Sequence, residues 1–330
     1  MRGSVQVIDR VYGPYTIREQ LINDLLLSPS MQRLRGIDQA GYFAVYQPGT
    51  EHSRFEHSLG VYILLTMYGA PLLERVAGLL HDVSHSAFSH CIDYVLPEGS
   101  PSRQDHQDNM FRDYVLASEL PQVVKHHGFD IEEVLDHGKF PLLEQPLPDL
   151  CADRIDYSLR AAVVYGVLDE RQVSHILSRL LVRDKQWVFT RQEAAEEFAE
   201  LFVQMNDEYF CGINSALMFA RVGAALRYAL EQGYITTADL YTTDNRVLEL
   251  MRSRRDSDNH LALLLDHMDN KLDLPGEPEK QETITCKSRV VDPLHLDEHG
   301  AVHRLSQSYP AWKEMLTLHM QPRTFCIHVH

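Results

Sequence analysis

The sequence predicts a mainly α-helical protein with a small α+β region at its C-terminal end. Three observations carry that expectation. Apolar residues recur at helical spacing through most of residues 18–232. Alternating, β-branched stretches are confined to the two ends, at 4–17 and beyond 282. Between core and tail, Pro275-Gly276-Glu277-Pro278 is the clearest break in the chain. The expected organisation is therefore a helical core over 1–274 and a small α+β region over 275–330.

Taken in order, SVQVIDRVYGPYTI (4–17) reads as a short strand pair turning at Tyr12-Gly13-Pro14. Leu21, Leu25 and Leu26 share one helix face, and Ser28-Pro29 stops that helix while starting the next. Residues 56–68 and 71–82 place Val61, Leu64, Leu65 and Tyr68, then Leu72, Val76, Leu79 and Leu80, at helical spacing. PEGSPSRQDHQD (97–108) reads as a loop. Helical patterns resume over 109–120 and 149–166 and fill 192–232 almost without interruption. After the break, ETITCKSRVVDP and RTFCIHVH alternate like strands, with a helix near 310–319 between them. Neither an internal repeat nor a low-complexity tract is evident.

At 330 residues, 44% hydrophobic and 24% charged, the chain can bury a substantial core. A formal net charge of −16 argues against nucleic-acid or anionic-membrane partners, because the whole-protein field repels a polyanion. Five scattered cysteines (91, 151, 211, 286, 326) without a CxxC read as free, mostly buried thiols in a reducing compartment. The N-terminus lacks an apolar signal core and no apolar run reads as long enough to span a bilayer, so a cytoplasmic location is expected. Self-association into a homo-oligomer stays open.

Eighteen histidines are unevenly placed: His52, His57, His81, His85, His90 and His106 fall between 52 and 106. His57, the adjacent His81-Asp82 and Asp153 are four metal-type ligands, each on a segment that reads as helix. Two neutral imidazoles and two carboxylates can close one side of a divalent cation and leave positions for water and a substrate oxygen. A lone His-Asp dipeptide is ordinarily a surface or capping pair, and it can share one ion only at a helix end or along a helix flank. His81 and His85 share a face if the helix continues that far. In ADRIDYSLR, helical spacing puts Asp153, Tyr157 and Arg160 on one side, as one ligand and two substrate-facing groups. Asp156 reads as an i,i+4 ion pair with Arg160, worth a few tenths of a kcal/mol. Arg54, three residues before His57, could fork onto a phosphate, whereas Arg33 and Arg35 read as packing or solvent arginines.

SPSMQRLRGIDQAG, TEHSRFEHSLGV, LLHDVSHSAFSH and ADRIDYSLR resemble, in order and spacing, the HD-domain metal-dependent phosphohydrolases. The closest likeness is to their dNTP triphosphohydrolase branch. It covers roughly residues 5–232, with weaker echoes in KSRVVDP near 287–293. The resemblance implies an HD-domain helical core holding one divalent ion on His57, His81, Asp82 and Asp153, with attack of a metal-activated water on phosphorus. It implies catalytic roles for His85, His90, Asp93 and His106, the last followed by Gln107. Arg54, Arg154 and Tyr157 match phosphate-contacting positions, Gln39 a position that reads the sugar hydroxyl, and Tyr209 a retained substrate-side tyrosine. The ligand set admits Mn, Fe, Co, Ni, Zn or Mg.

Departures from the family pattern matter as well. Ala161 stands where the family carries an aspartate for the sugar 3′-hydroxyl, and Cys211-Gly212 replace a His-Lys pair. Leu201 and Phe202 lie where an arginine is usual. These losses predict a weaker grip on sugar and distal phosphates, with poor ribo/deoxyribo discrimination or a preference for a modified sugar or a monophosphate. The expected activity is hydrolysis of a nucleotide phosphate ester, (d)NTP triphosphohydrolase-like. The alternatives are a small-molecule phosphomonoesterase and a catalytically weak nucleotide-binding scaffold. A nuclease conflicts with the charge.

Overall fold

The computed structural model describes residues 4–271 and 280–329. The expected break at 275–278 lies outside the described residues. Helices dominate, as the periodicity requires. The N-terminal strand pair is Val5–Asp9 against Gly13–Ile17, antiparallel, with Asp9 opposite Gly13. Gly13 turns the chain at φ +75°, a conformation other residues adopt only with strain. The Asp9 carboxylate accepts from the Val11 and Tyr12 amides at 2.8 and 3.1 Å, which sets it facing inward from the turn.

Helix Gln20–Leu26 gives way to Pro29–Arg33, whose N-cap is Ser28 with proline in its first turn. Helix Arg54–Met67 starts at a capping box in which Ser53 and Glu56 satisfy each other's amides. It packs on Leu72–Leu80 and on Ala152–Val164, and these three helices carry the site. Gly78 allows the first of those contacts, since a Cβ there would come within 2.4 Å of the Leu65 side chain.

The long stretch expected over 192–232 is two helices, Gln192–Met205 and Ile213–Glu231, joined by a π-helical turn at Asn206–Phe210. By length and composition Gln192–Glu231 does contain a run able to cross a bilayer, contrary to the expectation above. Its apolar side chains serve the core instead, and 61% of that window is buried. One core cluster gathers around Arg54–Met67 and Ala152–Val164. A second forms where Ile213–Glu231 packs with Asp244–Arg252, Asn259–Met268, Phe43 and Phe88.

The expected strand pattern over 282–293 breaks in two. Lys280–Cys286 pairs antiparallel with Arg323–Val329, in register from Lys280 opposite Val329 to Cys286 opposite Arg323, against helix Ile213–Glu231. Residues 287–293 then run irregularly before Leu294–Leu296. That strand lies parallel to Gln186–Phe189, which belongs to a hairpin with Leu180–Arg183 that the sequence did not suggest. Val302–Arg304 closes this sheet, and helix Pro310–His319 falls where expected. Leu294–Leu296 and Val302–Arg304 thus join a sheet begun near 180, while Lys280–Cys286 and Arg323–Val329 pair only with each other. All five cysteines are free, and only Cys326 is exposed.

Candidate metal centre and substrate cavity

Helix Leu72–Leu80 ends just before the His-Asp pair, with His81 as its C-cap. The pair therefore sits at a helix end, the geometry that lets neighbouring residues face one point. Its helix does not continue to His85. A turn closed by His85 N–H on the Asp82 carbonyl at 3.0 Å carries that imidazole back over Asp82 instead. His57 lies in the first turns of Arg54–Met67 and Asp153 in the first turn of Ala152–Val164.

These residues converge. His57 Nε2, His81 Nε2 and Asp153 Oδ1 all lie within 4.8 Å of one another. The two Nε2 atoms are 3.1 Å apart, and Asp153 Oδ1 is 2.9 Å from His57 and 3.4 Å from His81. Asp82 stands at the edge of the cluster, 3.4 Å from His81 Nε2 and 3.7 Å from His57 Nε2. The opposite ring nitrogens are both committed: His57 Nδ1 donates to Asp156 Oδ2 at 2.8 Å and His81 Nδ1 to the Gly78 carbonyl at 2.8 Å. A neutral imidazole that donates from Nδ1 presents a bare lone pair at Nε2. Two such lone pairs facing each other at 3.1 Å, beside a carboxylate, suit a shared cation. The donor set therefore fits a divalent metal, and each imidazole already has the outer partner that metal-bound histidines require.

The electrostatics agree. Burial disfavours the charged His81 ring, but Asp82, Asp153 and the Gly78 carbonyl outweigh it and raise its pKa to about 10. Burial likewise opposes ionisation of Asp153, yet the two imidazoles hold its carboxyl far below the usual range. In both cases the cluster is asking for positive charge.

Asp156 makes the expected i,i+4 ion pair with Arg160, but in the core and with a second partner. It is fully buried, binding Arg160 through Nε at 2.9 Å and Nη2 at 3.0 Å while orienting His57. Arg160 does not face substrate. Its Nη2 also reaches both Asp9 oxygens, at 3.0 and 3.2 Å, so it turns away from Asp153 toward the N-terminal hairpin. The pair lies inside the molecule because Gly60 leaves room: a Cβ there would sit 1.9 Å from Arg160 Nη2.

A cavity of about 620 Å³ opens over His81, Asp82 and Asp153, where the two core clusters meet. His85 and His90 line it, their rings edge to face at 5.1 Å. His85 Nε2 is 3.3 Å from Asp82 Oδ1; burial and the Arg54 charge press its pKa down to about 3, so it is neutral. His90 Nδ1 donates to Asp93 Oδ2 at 3.0 Å, and burial lowers the pKa of this ring despite the carboxylate. Asp93 Oδ1 accepts from the His106 amide at 2.9 Å. His106 is thus placed differently from the expected catalytic role. Its imidazole is 3.2 Å from the Tyr241 hydroxyl and does not line the cavity; as the first residue of helix His106–Ala117 it offers Asp93 an otherwise unpaired amide. Gln107 donates to the His81 carbonyl at 2.5 Å.

Of the expected phosphate contacts, Arg54 lines the cavity with three N–H groups committed: Nη1 to Asp82 Oδ2 at 2.6 Å, Nε to Ser89 at 3.0 Å and Nη2 to the Gln39 carbonyl at 3.0 Å. Ser89 reaches it through left-handed backbone at Phe88 and Ser89, φ +60° and +46°, a strained pair of the kind kept at functional sites. Arg154 also lines the cavity, but its forked nitrogens are spent on Asp149 O, Cys151 Sγ, Glu144 and Gln145 O. It shapes the wall and has no fork left for phosphate. Arg33 and Arg35 pack as expected, Arg33 on Tyr114 and two carbonyls, Arg35 over the Phe55 ring at 3.6 Å.

The remaining wall is aromatic. Tyr209 packs on Tyr165 at 4.7 Å and on Phe43 at 6.4 Å, beside Ala161 and Tyr157. Gln39 Oε1, Tyr157 OH and His52 Nε2 are buried on residues of this wall, without a hydrogen-bond partner among the described residues. Such atoms each cost about 1–3 kcal/mol until a ligand or water satisfies them. Sequence reasoning missed His52, Lys287 and Arg289 as cavity residues. His52 belonged to a visible histidine cluster, and the other two lay in the faint KSRVVDP echo.

Fold and site together define a helical protein with a histidine–carboxylate metal-type centre under a small-molecule cavity. The HD domain family matches residues 54–161, a span from Arg54 to Ala161 that includes His57, His81, Asp82 and Asp153. The uncharacterized protein YdhJ of Bacillus subtilis is 34% identical over 302 residues, covering 89% of this chain and 90% of its own. The metal-dependent phosphohydrolase cns2 of Cordyceps militaris is 30% identical over 301 residues, covering 88% and 85%. The deoxynucleoside triphosphate triphosphohydrolase SAMHD1 of Danio rerio is 32% identical over 338 residues, 86% of this chain but 53% of that protein. A hypothetical protein from Aquifex aeolicus shares the fold, with a TM-score of 0.72 at 20% identity, covering 99% of this chain and 96% of that one. The chain belongs to the HD-domain metal-dependent phosphohydrolases and is a hydrolase.

Proposed function

We propose that the protein hydrolyses a nucleotide phosphate ester, most closely in the manner of a (d)NTP triphosphohydrolase, using one divalent ion. The observation that carries this reading is the pair of Nε2 lone pairs beside Asp153, each fixed by a hydrogen bond at its opposite nitrogen, on the floor of a cavity of nucleotide size. His57, His81, Asp82 and Asp153 would hold the ion. Bound there, it supplies Lewis-acid charge stabilisation and a source of hydroxide at neutral pH.

The chain's own groups divide the remaining work. Arg54 neutralises Asp82 and presents its uncommitted N–H groups to a phosphoryl oxygen. His90 receives the proton released when water attacks phosphorus and returns it to the leaving oxygen as the ester P–O bond breaks: its Nδ1–H is anchored on Asp93, so Nε2 is the free basic nitrogen. Asp93 orients that ring, and the His106 amide fixes Asp93. The neutral His85 reaches Asp82 through Nε2 and packs edge to face on His90, holding the two apart. Tyr165, Tyr209 and Phe43 offer an aromatic wall to a base, while Gln39 Oε1 and Tyr157 OH await a sugar or base partner.

A metal screen against a nucleotide panel, resolving released phosphate, pyrophosphate and triphosphate, tests this. Triphosphate from a (d)NTP supports the full reading, and phosphate from a monoester supports the phosphomonoesterase alternative. No product with any metal or substrate sinks the catalytic reading and leaves a binding module.

A further inference from the structure

We propose that Lys287 and Arg289 form an anion subsite that grips a second anionic group of the substrate, beyond the phosphoryl group that reacts. The inference rests on the phosphohydrolase reading for the identity of the reacting group. It reverses the weak distal grip that the sequence suggests at Cys211-Gly212.

The two cations arrive from the C-terminal part of the chain. Strand Lys280–Cys286 ends one residue before Lys287, and the irregular stretch that follows crosses the cavity wall. Its path is fixed by the π-helical turn. Buried Asn206 accepts from the Arg289 amide at 2.8 Å and donates to Ser288 Oγ at 3.2 Å. Cys211 Sγ donates to the Cys286 carbonyl at 3.6 Å. Thus the place where Cys211 and Gly212 offer no charge is the place against which the charged segment is clamped. A π turn inside a long helix recurs at functional sites, and here it supplies the clamp.

Neither cation has an ion-pair partner among the described residues, and the Asp108 and Glu144 carboxylates that act on Lys287 do not outweigh its burial. Lys287 is half-buried, and its ammonium makes no ion pair or hydrogen bond among the described residues. Among the described residues the Arg289 side chain bonds only neutral oxygens, Gln104 Oε1 at 2.6 Å and the Lys287 carbonyl at 3.2 Å. Burial, then the charge of Arg289, brings the Lys287 pKa down to about 8, the response of a cation short of counter-charge. Both point at the reaction zone rather than away from it. The Arg289 charge acts on His90 and Tyr157, and that of Lys287 on Asp108 and Glu144 at the cavity rim. Two like charges held on one wall of a cleft are stabilised by an anion between them, and a guanidinium beside an ammonium suits phosphate oxygens. The ion at the histidine–carboxylate centre would engage the reacting phosphoryl group, so these two are available for the rest of a polyphosphate.

Binding to the full chain in EDTA, measured calorimetrically with inorganic tripolyphosphate and with dAMP, tests the subsite without turnover. Lys287→Met and Arg289→Met should each weaken tripolyphosphate about 10–150-fold, the range for one charged hydrogen bond, and change dAMP less than about threefold. Lys287→Arg should retain most of the affinity, which separates lost charge from lost folding. Equal losses for both probes would assign the pair to the reacting phosphate and overturn the proposal. So would unchanged tripolyphosphate affinity in both methionine variants, or no binding by the wild type. A chain that binds tripolyphosphate through these residues but hydrolyses nothing keeps the subsite and loses the catalytic reading.

Discussion

Replacing Asp156 with Asn tests the metal centre without touching a proposed ligand. The wild-type carboxylate holds His57 Nδ1 at 2.8 Å and Arg160 at 2.9 and 3.0 Å, and all three side chains are buried. Asparagine keeps one oxygen and turns the other into an NH₂. If the oxygen stays on His57, the amide hydrogens meet Arg160 donors; if it serves Arg160, His57 loses the acceptor that fixes its tautomer. The first placement keeps His57 fixed but sets NH₂ against Arg160 Nη2, and the second frees His57, so Nε2 is presented as a lone pair less dependably than by the carboxylate. Outer partners of metal-bound histidines are typically worth 10–100-fold in metal affinity, about 1.4–2.7 kcal/mol. The fold suffers separately. Arg160 keeps Asp9 at 3.0 and 3.2 Å, so the loss is one charge-assisted bond, about 1.5–3 kcal/mol, rather than the 3–5 kcal/mol typical of a fully orphaned buried charge. Competition against a chromophoric chelator gives the metal Kd, and denaturant unfolding of the metal-free variant gives the stability. The expected result is a 10–100-fold weaker Kd in a protein that still folds, with Asp153→Asn failing to load. A Kd within threefold of wild type, while Asp153→Asn does not load, would refute the reasoning: Asp156 would then not govern His57.

His90→Ala should retain metal and lose about 10²–10⁴ in kcat, the usual contribution of a general base, whereas His106→Phe should lose less than tenfold. Equal losses in steady-state assays would return His106 to the catalytic set. Gly60→Ala should destabilise the fold by about 1–3 kcal/mol or more in denaturant titration, since its Cβ would lie 1.9 Å from Arg160 Nη2 and 2.2 Å from Asp156 Oδ1; an unchanged midpoint would mean that this network yields freely. Burial lowers the His52 pKa from 6.5 to about 4, so its contribution to stability is full above pH 6.5 and lost as pH falls through 6.5 to 4. His52→Gln should flatten the stability–pH curve in that window by at most about 3 kcal/mol, and parallel curves for the two proteins would contradict it.

Much of the site was readable because its residues sit where local rules place them. Asp153 opens a helix and His81-Asp82 close one, and helix periodicity locates such ends. What failed was whatever depends on a distant partner. Asp156 and Arg160 four residues apart look the same on a surface or in a core; only Asp9 from the hairpin and the gap at Gly60 decide between them. The loop over 97–108 was right in character, yet its last residues begin a helix, and that start turns the His106 amide to Asp93 and its ring to Tyr241. The hairpin near 180–189 escaped notice because its partner strand, Leu294–Leu296, lies far along the chain. Lys287 and Arg289 carried only the faint KSRVVDP echo, which names no role for either. Their role depends on Asn206, a residue whose π-helical setting has no periodic signature.

The charge distribution ties these parts to the choice of substrate. With a formal charge of −16, the protein repels a polyanion at long range, and screening confines that repulsion to roughly 8–10 Å in physiological salt. Inside the cavity the balance reverses locally: Arg54, Lys287 and Arg289 face it beside the cation demanded by His57, His81 and Asp153. A nucleic-acid strand would have to bring many phosphates against the acidic exterior to deliver one to the centre. A free nucleotide brings only the charges that the cavity can satisfy. The same argument ranks free nucleotides. A monophosphate leaves Lys287 and Arg289 facing each other with no anion between them, whereas a polyphosphate engages both the centre and the pair. Within the phosphohydrolase reading, the pair therefore favours di- and triphosphates over monoesters, and the acidic surface favours free nucleotides over polymers.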